Sequence, residues 1–315
     1  MKLFSTTASA DLATEVAQKL SVTLAQSEVK RFENSEVRVQ VTEPVSGETC
    51  IVLGSSSNPT DEHLMELFFF ADALKRSEAA KVIGIIPYFG YARQNIQHRP
   101  GESVSANVVI RFLEQIGYDE IALFEMHDEA TAGVFTIPFS ALSAFSLLAT
   151  SVKTHLESSG VIHDVNECVV VSPDQGGVER ARHFGEFLYG NSEFDIGVVE
   201  KKRDQDVMHE SKALDLYGDV KDKVVILVDD IVTSGGTLMN AANMCKEKGA
   251  KHVVAAITHY DIGHDRAKAL QESAIDAFFT TNTIVIAPEN KFEKLQTISV
   301  APIIADYISG MNTTS

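Results

Sequence analysis

The chain has 315 residues, enough for two domains of ordinary size. Hydrophobic residues make up 44% and charged ones 23%, the balance of a soluble globular protein rather than a disordered or membrane-spanning one. A formal net charge of −17 argues against a nucleic-acid partner, and any phosphorylated ligand must be held by local cations against that field. Cys50, Cys168 and Cys245 fall in apolar runs without metal-binding spacing, which reads as buried reduced thiols. The first residues carry no apolar leader and no run is long enough to cross a bilayer, so a cytoplasmic protein without a membrane partner is expected.

In chain order, a short strand at 2–4 precedes a helix over 10–20, where Leu12, Val16 and Leu20 share a face. Val37, Val39 and Val41 alternate after the turn signal Asn34-Ser35, which predicts a hairpin over 29–41. A buried strand at 49–54 leads through a polar loop to a helix running to about Ser77, with Asp61 a candidate cap. The strand beginning at Lys81 ends in an aromatic, glycine-bearing loop, Tyr88 to Gln94. Ser103 or Ser105 is placed to cap the helix to Ile116, and Gly117 to end it. A strand at 121–124 then delivers Glu125, His127, Asp128 and Glu129.

The second half repeats this plan. Strands at 168–171 and 196–199 end in Ser172-Pro173-Asp174 and Glu200-Lys201-Lys202-Arg203. Val224 to Val228, four of them β-branched, predict a strand buried on both faces, followed by Asp229, Asp230 and the loop Thr233-Ser234-Gly235-Gly236-Thr237. A helix ending near Gly249 and a strand at 253–257 ending at His259 follow. Gly117 and Gly249 stand as far apart as His127 and His259, so the chain reads as an internal duplication: α/β, two open parallel sheets, with domains 1–145 and 146–315. The last segment, 284–308, offers a strand and a helix.

Glycines at 235 and 236 let backbone N–H groups converge where a helix start adds partial positive charge, an arrangement that suits phosphate. The acidic pair beside it suits the vicinal hydroxyls of a sugar or a metal ion; a phosphorylated sugar answers both. Taken singly the parts are ordinary, since such a turn is often only an N-cap and an Asp pair only loop solvation. Likewise a histidine such as His127 at a strand end is commonly structural, and a Lys-Lys-Arg run commonly solvated. Together, Asp174, Lys201, Arg203, Asp229, Asp230, His127, Arg93 and Gln94 all fall at strand ends, where open α/β sheets bind ligands. Positioning groups, cations and a divalent metal are what phosphoryl transfer requires.

The 223–237 stretch resembles the phosphoribosyl-binding loop of type I phosphoribosyltransferases and of the ribose-phosphate diphosphokinases (PRPP synthetases). The second family is similar along nearly the whole chain, and its activity is transfer of the β,γ-diphosphoryl group of ATP to the 1-hydroxyl of ribose 5-phosphate with Mg²⁺. The resemblance implies two domains of the type I phosphoribosyltransferase kind; because only the second half carries the acidic pair and the Thr-Ser-Gly-Gly-Thr loop, one sugar-phosphate site per chain is expected. It implies ATP contacts from Phe32, Asn34, Ser35 and Glu36 of the hairpin and from Arg93 and Gln94, with a metal held by His127 and Asp174. It further implies Lys201 and Arg203 as the catalytic basic pair. Asp229, Asp230, Thr233, Ser234, Gly235, Gly236 and Thr237 would form the ribose 5-phosphate site. A homo-oligomer, with the ATP site shared between chains, is part of the same expectation.

Four departures stand out. Asn34-Ser35 replaces the usual Asp-Gly, Asn95 the Asp that usually follows Arg-Gln, and Thr233-Ser234 the usual Asp-Thr; the loop after Arg203 is shorter. Gly101-Glu102, His127-Asp128-Glu129 and the Thr-Ser-Gly-Gly-Thr loop look closer to the archaeal branch. Nucleotide preference, ADP inhibition and phosphate activation are left open by these changes. Two other readings stay in view: a non-catalytic regulatory subunit, which Asn34 and Asn95 favour, and a phosphoribosyltransferase acting on a base.

Overall fold

The computed structural model describes residues 1–203, 211–263 and 266–311. It divides into two compact units, 1–143 with 283–285 and 299–315, and 144–282 with 286–298. The first unit begins β1 (Lys2–Ser5), α1 (Ala10–Leu20), β2 (Ser27–Arg31), β3 (Val37–Val41) and β4 (Thr49–Leu53). It continues α2 (Thr60–Arg76), β5 (Lys81–Ile86), α3 (Ser105–Ile116), β6 (Glu120–Phe124) and β7 (Phe139–Leu142). The second holds α4 (Phe145–Ser158), β8 (Cys168–Ser172), α5 (Val178–Tyr189), β9 (Ile196–Arg203), β10 (Ser211–Tyr217) and β11 (Val224–Val232). After these come α6 (Gly236–Glu247), β12 (His252–Tyr260), α7 (Arg266–Gln271), β13 (Ala277–Thr281) and β14 (Leu295–Ile298), and the chain returns to the first unit as α8 (Ala301–Met311).

In the first unit, five parallel strands lie in the order β1-β4-β5-β6-β7, and β2 and β3 form a separate antiparallel hairpin. Cys50 to Leu53 are all fully buried, as an apolar run must be when successive side chains face opposite covered sides of a sheet. In the second unit seven strands run β10-β9-β8-β11-β12-β13-β14. Only β10 departs from parallel: it folds back antiparallel on β9 and supplies the sheet edge, which a wholly parallel expectation did not contain.

β11 shows how the apolar run is used. Val225 and Leu227 pack with Leu238, Ala241, Ala242 and Cys245 of α6, while Val224, Ile226 and Val228 pack with Phe145, Leu148 and Val152 of α4 and Ala181, Phe184 and Leu188 of α5. Helices therefore cover both faces and leave only the strand ends for polar groups.

The two helix ends that suggested duplication share their backbone plan. Gly117 and Gly249 both take positive φ, +119° and +96°, and the next residue's N–H returns to Leu113 and to Cys245 respectively. The expected side-chain caps at Asp61, Ser103 and Ser105 are absent from α2 and α3. Asp61 accepts from the Tyr91 hydroxyl instead, and Ser105 donates to Gln94 Oε1 at 2.7 Å. The terminal helix α8, which the sequence left able to close either domain, buries Ala301, Ile304 and Ile308 and packs on α1. Cys50, Cys168 and Cys245 are buried free thiols whose burial raises their pKa to about 11, about 12 and about 12. Among the described residues no helix is long and apolar enough to cross a membrane.

Candidate active site

In the second unit the order β9-β8-β11-β12 brings four parallel strands side by side, so the residues leaving their carboxyl ends share one edge. Asp174 follows β8, the Lys201–Arg203 stretch ends β9, and Asp229 and Asp230 lie near the end of β11. Lys201 and Arg203 are placed by backbone alone, opposite Ala213 and Ser211 of β10; their side chains lie outside the described residues.

The turn from β11 to α6 has the shape the glycines predicted. Gly235 takes φ +74°, a backbone conformation that favours glycine, and an added Cβ there would lie 3.2 Å from Leu270 Cδ2, so that side chain would have to give. The N-cap residue of α6 is Gly235, which has no side chain to cap with; Ser234 Oγ accepts from Gly236 N at 3.5 Å, and the first turn carries no acidic residue. The positive end of the helix dipole at such a start favours an anion.

The acidic pair is more structured than its sequence suggested. Arg180, in the first turn of α5, places Nη2 3.0 Å from Asp229 Oδ1 and 3.2 Å from Asp230 Oδ1. Asp230 is nearly enclosed, with a side chain 3% exposed, against 15% for Asp229. Burial pushes the Asp229 carboxyl well above the usual carboxylate range, and the neighbouring Asp230 charge adds to the rise while Arg180 opposes it. Gly177 allows the 172–177 turn to close against this cluster, since a Cβ there would lie 2.6 Å from Ser172 Oγ. Asp174 caps that turn by accepting from Gly177 N at 3.2 Å, and Ser172 Oγ donates to the Asp174 carbonyl at 2.5 Å.

The first unit arranges its own strand ends. β4, β5 and β6 adjoin, and Gly90 N donates to Ser56 Oγ at 2.7 Å, fixing the aromatic loop after β5. Arg93 and Gln94 are exposed on that loop. Asn95 Nδ2 donates to Asp128 Oδ2 at 2.6 Å, which ties the Arg93-Gln94 segment to the one carrying His127. On the hairpin, Ser35 takes φ 67° and Asn34 Oδ1 accepts from Glu36 N at 3.3 Å, so the Asn-Ser pair builds the turn by itself. Phe32 stays 41% exposed at the start of the turn. Arg31 donates to the Ser35 carbonyl at 3.0 Å and pairs with Glu62 and the buried Glu66 of α2, at 3.2 and 3.5 Å, clamping the hairpin tip to the helix.

Of the expected site residues, Asp174 and 229–237 thus share one sheet edge in the second unit with the backbone of Lys201 and Arg203. The hairpin residues, Arg93, Gln94 and His127 belong to the first unit. Arg180, Arg31 and the Asn95–Asp128 bond were not singled out by sequence. Arg180 lies six residues after Asp174 in an otherwise ordinary amphipathic helix start, and that nearness to the Asp174 turn was the only available signal. Among the described residues, no three His, Cys, Asp or Glu side chains cluster as a metal-binding group.

A strand-end acidic pair beside a glycine turn and helix start, on a mainly parallel sheet covered by helices, is the arrangement of an α/β protein that takes a phosphorylated ligand. Residues 1–117 match the family described as the N-terminal domain of ribose phosphate pyrophosphokinase, and 197–314 match the phosphoribosyl synthetase-associated domain. Ribose-phosphate pyrophosphokinase 1 of Streptococcus pneumoniae serotype 4 is 34% identical over 308 residues, covering 98% of this chain and 92% of that protein. Ribose-phosphate pyrophosphokinase of Fusobacterium nucleatum is also 34% identical, over 98% of this chain and 94% of its own. The crystal structure of phosphoribosylpyrophosphate synthetase from Mycobacterium smegmatis superposes with a TM-score of 0.89 at 32% identity, covering 100% of this chain and 99% of that one. The chain belongs to the ribose-phosphate pyrophosphokinase family. These named relatives are bacterial, and the archaeal likeness of the motifs rests on the motifs alone.

Proposed function

We propose that this chain is an ATP- and Mg²⁺-dependent ribose-phosphate pyrophosphokinase, converting ATP and ribose 5-phosphate to PRPP and AMP. The observation that carries the reading is the strand–acidic pair–glycine turn–helix start at 224–237, set within a family match that spans the chain. The 5-phosphate sits on the backbone N–H groups of Thr233–Thr237, and the ribose hydroxyls face Asp229 and Asp230. The 1-hydroxyl oxygen attacks the β-phosphorus of ATP in line. The bond from that phosphorus to the α,β-bridging oxygen breaks, AMP leaves with the oxygen, and the hydroxyl proton is released. Lys201 and Arg203 neutralise charge growing on the transferred phosphoryl oxygens.

ATP is held by Phe32, Asn34, Ser35 and Glu36 of the hairpin with Arg93 and Gln94, one chain's hairpin serving its neighbour in a homo-oligomer. The carboxylate oxygens at the second unit's strand ends fit Mg²⁺, a hard cation that prefers such donors; burial and mutual repulsion in the acidic pair also favour added positive charge nearby. Asp174 and His127 would hold it, and it would supply neutralisation of phosphate charge during transfer.

Asn34 and Asn95 suggested a regulatory subunit, yet Asn34 makes a hydrogen bond that builds its own turn and Asn95 one that ties its loop to the segment after β6. That favours adapted substrate loops over decayed ones. The test is product formation by the purified chain with ATP, ribose 5-phosphate and Mg²⁺, with Mg²⁺ omitted and GTP or ADP substituted as controls. AMP and PRPP in equal amounts support the reading; ribose 5-phosphate binding without either product contradicts it and favours the regulatory subunit.

A further inference from the structure

We infer that Arg180 is a positioning residue of the sugar site, its guanidinium bridging the two aspartates so that Asp229 presents one fixed carboxylate oxygen to the ribose. The inference deepens the reading of 229–237 as the ribose 5-phosphate site and rests on it. Its footing is a single nitrogen, Nη2, which donates to Asp229 Oδ1 at 3.0 Å and forms an ion pair with Asp230 Oδ1 at 3.2 Å. Asp230 N donates to the same Asp229 oxygen at 3.0 Å. Both of these hydrogen bonds end on Oδ1 of Asp229, so the fold fixes the carboxyl group by that oxygen.

The two carboxylates divide the work. Asp230 is closed off by the fold and serves Arg180, whereas Asp229 keeps an exposed side. Side by side at a strand end they repel each other, and a rotation of Asp229 about its side-chain bonds would relieve that repulsion at the cost of losing the ligand geometry. A guanidinium suits the task because its fork is planar and permanently charged. It is carried by the first turn of α5, directly after the Asp174–Gly177 turn, so it is set by the rigid βα junction and not by a loop.

A purely architectural arginine would, on removal, lower stability and the active fraction without changing how the remaining enzyme treats its sugar. A positioning arginine would change the affinity for ribose 5-phosphate selectively. The variants are Arg180→Lys, which keeps the charge without the fork, and Arg180→Met. Ribose 5-phosphate binding is measured by calorimetry without ATP, alongside KM for each substrate and kcat. Arg180→Met should weaken ribose 5-phosphate binding and raise its KM about ten- to a hundred-fold, with KM for ATP changed less than about two-fold. Arg180→Lys should recover part of that loss. Should Arg180→Met fail to fold, Arg180→Lys decides alone: a several-fold weaker sugar affinity supports the role, and unchanged affinity overturns it. Equal losses in the affinities for both substrates, or a drop in kcat alone, also overturn it. Because binding is read without turnover, a chain that binds the sugar but forms no AMP would sink the transfer reading while leaving this comparison decisive.

Discussion

Asn95 and Asp128 are joined by a 2.6 Å hydrogen bond from amide to carboxylate, linking the loop after β5 to the segment after β6. Asp128 also accepts from Ala130 N at 2.9 Å, so it anchors its own turn while it receives Asn95. The Asp usual at this position in the family would confront Asp128 with a second negative charge and no donor. Asn95→Asp should therefore cost about 1 kcal/mol, since both groups are half-buried and partly screened, and lower Tm by roughly 2–4 °C. KM for ATP should rise several-fold while KM for ribose 5-phosphate stays put. Adding Asp128→Asn should restore both; a thermal melt unaffected by Asn95→Asp would show that the bond contributes nothing.

Gly235 is the residue on which the 233–237 loop turns. Gly235→Ala must adopt a left-handed backbone and crowd Leu270, at a cost of about 1–2 kcal/mol. Because the strain falls where the α6 amides are aimed, ribose 5-phosphate affinity should drop roughly ten-fold, as calorimetry would read. Full affinity in Gly235→Ala would mean that the amides of this turn do not hold the 5-phosphate.

The acidic pair makes stability depend on pH in a definite direction. The folded Asp229 carboxyl, raised by burial and by the Asp230 charge, keeps its proton to higher pH than it does in the unfolded chain, whose ordinary value is about 4. The folded state thus holds more protons over the range between the two values. Its stabilising contribution is full below about pH 4 and is lost as pH rises through the raised folded value. Urea titrations over this range should give a decline that is distinctly shallower in Asp229→Asn, measured without ligand. An identical slope in both proteins would remove the acidic pair as its source.

Much of this was legible because apolar patterning and turn chemistry act locally. Val224–Val228 could hardly be anything but a strand covered on both faces, and Gly235-Gly236 after it could hardly continue that strand. The hairpin turn at Asn34-Ser35 and the glycine stops at 117 and 249 were local in the same way. What escaped lies in partnerships between distant residues. Arg180 sits on a helix face whose sequence looks solvated, and only the closeness of α5 to β11 turns it toward Asp229 and Asp230. Asp61 and Ser105 had cap-like positions, but Tyr91 and Gln94 claimed their side chains. The antiparallel β10 and the return of α8 to α1 are tertiary choices that no single stretch encodes.

Lys201 carries the chemical step in this account. Lys201→Ala should lower kcat by about a hundred- to a thousand-fold, the scale of losing a charge partner for transferring oxygens, and alter KM for ribose 5-phosphate far less. Unchanged kcat would assign the neutralising role to other groups.

The most direct measurement of the central claim is the fate of the nucleotide's phosphates. ATP labelled separately at the β- and γ-phosphates would be incubated with the purified chain, ribose 5-phosphate and Mg²⁺, and the products separated. Transfer of the intact diphosphoryl group predicts both labels in PRPP and unlabelled AMP in equal amount. A sugar carrying the γ-label alone, with labelled ADP left behind, would contradict it.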